Sequence, residues 1–167
     1  NTTEIHALPI EVCMTINDHW GYSAADHNTK STRRLIHLLV RSASMGANYL
    51  LNVGPTPLGK ILPDHAKRLR RIGEWLHANG ESIYGTGKGK IPQTAMAVST
   101  RRGDTHYVHI LDHQSDEIVL EGVPETITSA RLLRDGMSVP LERRSDKTIL
   151  LVPEDRCDPF DTVVALS

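Results

Sequence analysis

Between Gly46 and Gly54 runs Asn48-Tyr49-Leu50-Leu51-Asn52-Val53, a short apolar segment with a glycine on each side. An uninterrupted apolar run of this length reads as a strand buried on both faces, the kind found in parallel sheets. The segment before it supports that reading. Leu35, Ile36, Leu38, Leu39 and Ala43 recur at helical spacing and predict an amphipathic helix over about 31–45, with Ser31 or Thr29 as its N-cap and Gly46 at its end. Upstream again, Val12, Met14 and Ile16 predict a strand at about 10–16, followed by a long Gly-, Ser-, Asp- and Asn-rich loop from Asp18 to Lys30. Strand, loop, helix and strand make a βαβ unit, so the two strands should run parallel.

The remainder divides in texture. Gly54-Pro55-Thr56-Pro57-Leu58-Gly59 stops the second strand, and Pro63 opens a second helix over about 62–79. Leu62, Ala66, Leu69, Ile72 and Leu76 form its apolar stripe, and Asn79-Gly80 is expected to give it a left-handed cap. His65, Lys67, Arg68, Arg70 and Arg71 read as its solvated side. Gly85 to Lys90 reads as a linker. Beyond it, seven short strands are expected near 94–100, 105–111, 116–121, 127–134, 138–143, 147–152 and 161–166, separated by turn residues such as Gly103-Asp104, Asp135-Gly136 and Ser145-Asp146. That spacing is the pattern of a β-sandwich.

The densest chemistry lies where the first strand meets its loop, in Glu11-Val-Cys-Met-Thr-Ile-Asn-Asp-His-Trp-Gly-Tyr22. A carboxylate and two aromatics in so short a span suit a sugar site, where an acid handles protons and a ring covers apolar C–H surface. Trp20 and Tyr22 would equally serve to cap a core. With Lys30-Ser31, Asn48 to Pro55, Ile72-Gly73-Glu74-Trp75-Leu76 and Asn79 to Thr86, this run resembles the α-L-fucosidases of glycoside hydrolase family 29. Residues 91–167 are similar, more loosely, to the β-sandwich that follows the barrel in that family.

The resemblance implies a fold class of α/β plus all-β: residues 1–90 as the last two βα units of a (β/α)₈ barrel, and residues 91–167 as an antiparallel β-sandwich. It implies a retaining glycoside hydrolase that removes terminal α-L-fucose from a fucosylated glycan or glycoside, with no metal or organic cofactor. The family's nucleophilic Asp lies on a strand upstream of the opening motif and has no match here. Were the chain active alone, Asp18, Asp26 or a partner subunit would have to replace it. Glu11 matches a position that is a candidate acid/base, although it sits at the start of its strand, whereas barrel chemistry sits at strand ends. Trp20 is expected on the apolar face of fucose, Asp18 on a hydroxyl, and Asn52 either on substrate or holding the following turn. A non-catalytic carbohydrate-binding or assembly module is the alternative. Family members are often secreted, periplasmic or lysosomal.

A barrel of this class takes about 250 residues, so two staves need cover, either from a homo-oligomer or from the missing barrel portion. A formal net charge of −1 gives no reason to expect nucleic acid, and no apolar run reaches the roughly 20 residues of a membrane helix. Cys13 and Cys157 fall in different expected domains and read as free thiols. Nine histidines raise a metal site, but His106 and His109, three apart on a strand, would point to opposite faces, and His6 and His19 lie on different loops.

Overall fold

A computed structural model describes residues 9–167; His6 lies outside the described residues. Strand β1 (Glu11–Thr15) pairs with β2 (Asn48–Asn52) in parallel, from Glu11 opposite Asn48 to Thr15 opposite Asn52, and helix α1 (Thr32–Ser44) makes the crossover. Ser31 caps α1, its Oγ accepting from the Arg34 amide, and Gly46 takes φ +77° just past the helix end, as the sequence suggests. Alternation divides the pair's side chains. Val12, Met14, Tyr49 and Leu51 are half-covered on the side where α1 packs, while Glu11, Cys13, Asn48 and Leu50 are exposed on the other. Cys13 and Cys157 are both free.

Helix α2 (Pro63–Asn79) begins at Pro63 as expected, but two expectations fail along it. His65 is buried rather than solvated, its Nε2 within 3.5 Å of the Thr29 hydroxyl, because the covered stripe runs through His65, Ile72, Trp75 and Asn79. Gly80 is right-handed, so no left-handed cap forms there. The chain instead tightens into a 3₁₀ turn, Gly80–Ser82, and reverses at Gly85 with φ +69°.

The expected linker is partly a strand. β3 (Gly87–Lys88) pairs with β4 (Ala97–Arg102), which continues antiparallel to β5 (Thr105–Ile110), β10 (Thr162–Leu166) and β7 (Ala130–Leu132) in a five-stranded sheet ordered β3-β4-β5-β10-β7. The second sheet holds β6 (Glu117–Glu121), β9 (Lys147–Leu151) and β8 (Leu141–Arg144), in the order β6-β9-β8. Two of the expected strands are much shorter than their apolar spans. Leu132 N–H bonds to the Met137 carbonyl and Val139 N–H to the Ala130 carbonyl, closing a small hairpin at Asp135-Gly136. After Pro140, which has no ladder donor, the chain passes to the other sheet as β8.

Two apolar cores result. One lies between the sheets, around Val108, Ile110, Leu120, Leu150, Val152, Val164 and Leu166. The other joins Ile36 and Val40 of α1 and Trp75 of α2 to the outer face of the five-stranded sheet at Val98, Tyr107, Val163 and Ala165. The order of layers is therefore helices, sheet, sheet. His106 and His109 take opposite faces of β5: His109 faces the helices beside Trp75, and His106 faces the space between the sheets.

Candidate active site

The loops leaving β1 and β2 meet at the C-terminal end of the parallel pair. Ile16 N–H continues the ladder to the Asn52 carbonyl, and Lys30 returns the long loop to β1, its amide donating to Ile16 and its Nζ to the Asn17 carbonyl at 2.6 Å. Arg68 of α2 then fixes Lys30 through its Nε, which donates to the Lys30 carbonyl. The loop is thus anchored to β1 and to α2.

Asp26 holds the middle. Its side chain is 2% exposed, Oδ2 accepts from the Asp18 amide at 3.0 Å and lies 2.7 Å from His19 Nδ1, and Oδ1 accepts from the Asn28 amide. The His19 hydrogen bond first, and then the two backbone N–H groups, lower the carboxyl from 3.8 to about 2. Three hydrogen-bond partners and a side chain only 2% exposed hold Asp26 inside its own loop, where it acts as a staple. Asp18 points into the same turn, its Oδ2 accepting from Asn28 Nδ2 at 2.7 Å, with the other oxygen uncommitted.

Trp20 follows directly, 56% exposed, with Tyr22 41% exposed beside it. Asn52 reaches across from β2, its Nδ2 donating to the Trp20 carbonyl at 2.7 Å. Its Nδ2 therefore serves the first loop rather than its own Gly-Pro turn. Gly54 tightens the same junction: a Cβ there would come within 2.7 Å of the Gly21 carbonyl carbon and oxygen and 2.9 Å of the Tyr22 nitrogen. Only glycine lets these two backbones approach so closely.

Trp20, Asp18 and Asn52 are thus brought together, and Glu11 is not. It sits at the opposite end of β1, four residues before Thr15, or about 13 Å at the rise of a strand. Its Oε1 accepts from the Cys13 thiol at 3.5 Å. Sequence reasoning missed His19 and Lys30 as parts of the site; an Asp-Asn-rich loop hinted at internal hydrogen bonding without naming partners. Among the described residues no group of three His, Cys, Asp or Glu side chains is arranged to hold a metal ion.

The family model for α-L-fucosidase matches residues 1–81, which include every part of this junction. The chain belongs to the α-L-fucosidase family. The α-L-fucosidase of Branchiostoma floridae is 31% identical over 140 residues, covering 79% of this chain and 31% of that protein. Among solved structures, α-L-fucosidase isoenzyme 1 from Paenibacillus thiaminolyticus aligns with TM-score 0.89 at 36% identity, covering 96% of this chain and 40% of that one. The Thermotoga maritima α-fucosidase in complex with fucose aligns with TM-score 0.84 at 26% identity over 94% of this chain and 39% of its own. The chain spans about a third of the curated relative and two fifths of these structures. The fold is accordingly α/β plus all-β, the end of a fucosidase barrel followed by an antiparallel β-sandwich.

Proposed function

We propose that this chain forms the closing part of a retaining glycoside hydrolase that removes terminal α-L-fucose from fucosylated glycans or glycosides. The observation that carries this reading is Trp20, an exposed indole just beyond the C-terminal end of β1, whose backbone carbonyl accepts from Asn52 and whose neighbour His19 is held by the Asp26 staple. That is the end of a barrel where chemistry resides. A ring face fixed there suits the apolar face of a deoxy sugar, and the free oxygen of Asp18 suits a neighbouring hydroxyl. Residues 1–90 are read as the barrel portion and residues 91–167 as the sandwich unit.

Retention requires two carboxyl groups about 5–5.5 Å apart. Asp26 is committed to its loop, and Glu11 lies at the far end of β1. We assign the attacking and proton-transferring carboxylates to staves beyond these two, and Glu11 to a supporting role inside the barrel. Among the described residues both outer edges of the β1–β2 pair are unpaired, and Ile10 and Leu50 are exposed on it. The remaining staves, or a second copy, would cover them.

The test is hydrolysis of an aryl α-L-fucoside by the chain alone and by the protein carrying the other staves. The chain alone should show no turnover. In the complete barrel, Trp20→Ala should lower kcat/KM about thirtyfold, the loss of roughly 2 kcal/mol of apolar contact, while Glu11→Gln should change kcat less than tenfold. A thousandfold fall for Glu11→Gln, restored by azide, would make Glu11 the acid/base after all. Sugar binding without turnover by the complete barrel would favour a carbohydrate-binding module instead.

A further inference from the structure

A cavity of about 480 Å³ opens at one end of the sandwich, remote in sequence from the Trp20 junction. His106 and Arg101 are register partners on β5 and β4, and Lys90 lies between β3 and β4 of the same sheet. All three line the cavity. His106 is 4% exposed, yet its Nδ1 has no partner, and the same is true of the buried Arg101 Nε. Two buried polar nitrogens left unpaired in one cavity are costly, at about 1–3 kcal/mol each. The one side-chain carboxylate among the lining residues is Asp104, fully exposed, with an oxygen 3.6 Å from Arg101 Nη2, while Ser167, which also lines the cavity, has its main-chain oxygen taken by the Thr128 and Ser129 amides. Burial, followed by the charges of Arg101 and Lys90, lowers His106 below the ordinary imidazole range, against a smaller opposite pull from Asp104. The ring is thereby neutral in an environment short of negative charge.

We propose that this cavity is a binding site for a small organic carboxylate, an acidic sugar, with Arg101, Lys90 and His106 holding the anion. The volume falls within the roughly 300–1,000 Å³ of small-molecule sites, so it takes the ring as well as the charge. Pro124 and Ile127 offer apolar surface to that ring and Thr126 a hydroxyl. Arg101 supplies the charge-assisted hydrogen bond that fixes the carboxylate, because its Nε is unspent and desolvated. Lys90 is exposed and contributes attraction that salt screens. The site is independent of fucoside cleavage, so it stands or falls without that reading.

Calorimetry and ¹H–¹⁵N NMR on the 167-residue chain test this, with galacturonate as the probe and galactose and inorganic sulfate as controls. Saturable galacturonate binding is expected, with both controls at least tenfold weaker. Arg101→Gln should weaken binding about tenfold or more, exposed Lys90→Gln about threefold, and Asp104→Asn should strengthen it about twofold. The titration midpoint of the His106 ring, followed by NMR, should rise when the probe is bound. Equal binding of galactose would overturn the role of the charge, equal binding of sulfate would overturn the sugar, and unchanged affinity in folded Lys90→Gln and Arg101→Gln would overturn the site.

Discussion

Replacing Gly54 with alanine tests whether the two loops of the junction form one unit. The added Cβ would sit 2.7 Å from the Gly21 carbonyl carbon and oxygen and 2.9 Å from the Tyr22 nitrogen, all backbone atoms that no rotamer change can move aside. Overpacking against a fixed backbone costs about 1–3 kcal/mol. Gly21 and Tyr22 are exposed, however, and a Cβ at Gly21 would meet nothing within 4 Å, so the loop has room to retreat. Retreat breaks the Asn52–Trp20 hydrogen bond, worth about 1 kcal/mol. The lower of these costs sets the outcome: a local opening of about 1 kcal/mol, with both apolar cores intact. At roughly 2–4 °C per kcal/mol for a chain of this size, the thermal midpoint should fall by no more than about 4 °C. Acrylamide quenching provides the readout, because Trp20 is 56% exposed and Trp75, the other tryptophan, only 4%. Quenching of Trp20 should rise, and a Trp20→Phe background should abolish the change. Unchanged quenching with an unchanged midpoint would show that the loops are not coupled. A midpoint lower by 10 °C or more would show that the junction is part of the fold's main support.

Two further predictions rest on buried carboxylates. Asp26 is lowered from 3.8 to about 2 by its His19 and amide partners, so the stability it lends the loop is present above pH 4 and is lost as pH falls through about 2. Trp20 quenching should rise across that window while the far-UV spectrum holds, and Asp26→Asn should remove the transition. On the helix side of the sandwich, Asp161 Oδ2 lies 2.7 Å from His109 Nδ1 with both side chains fully buried, and the Asp161 carbonyl accepts from the Trp75 indole. Asp161→Ala should cost about 3–5 kcal/mol in urea unfolding, and a loss under 1 kcal/mol would refute the inference that this buried pair supports the fold.

The elements were legible where a period or a cap is local. The parallel pair, both helices, the Ser31 cap and Pro63 at a helix start all follow from side chains within a few residues of one another. Two misreadings come from a tertiary partner and a third from the shortness of the element. His65 looked solvated beside Lys67 and Arg68, but α2 turns that edge toward the loop that carries Thr29. Gly80 looked like a left-handed cap, but the chain needed a 3₁₀ turn to bring Ser82 to Thr100, whose hydroxyl donates to the Ser82 carbonyl at 2.6 Å. Gly87-Lys88 looked like linker because a two-residue strand has no period to read. At the site, Trp20 stood out as a rare residue type, whereas the roles of Asn52 and Asp26 depend on contacts 32 and 7 residues away and had no local mark.

The layering bears on what the sandwich does for the site. Helix α1 returns the Trp20 loop to β2, and its other side is fastened to the sandwich: Ile36 and Val40 sink into the outer face of the five-stranded sheet, Arg33 Nη2 donates to the Leu111 carbonyl at 2.6 Å, and His37 Nε2 lies 2.7 Å from the Phe160 carbonyl. Arg41 reaches the Ala95 carbonyl from the last turn of the same helix. Apolar contact alone fixes distance but tolerates sliding, whereas hydrogen bonds to three separate backbone carbonyls fix register along the helix axis. Register matters here because Ser31, which caps α1, directly follows Lys30, the residue that ties the loop to Ile16 and Asn17. A shift of α1 along its axis would drag Lys30 with it and slacken the loop that presents Trp20. The all-β unit thereby holds α1, and through Lys30 it steadies the loop that carries Trp20.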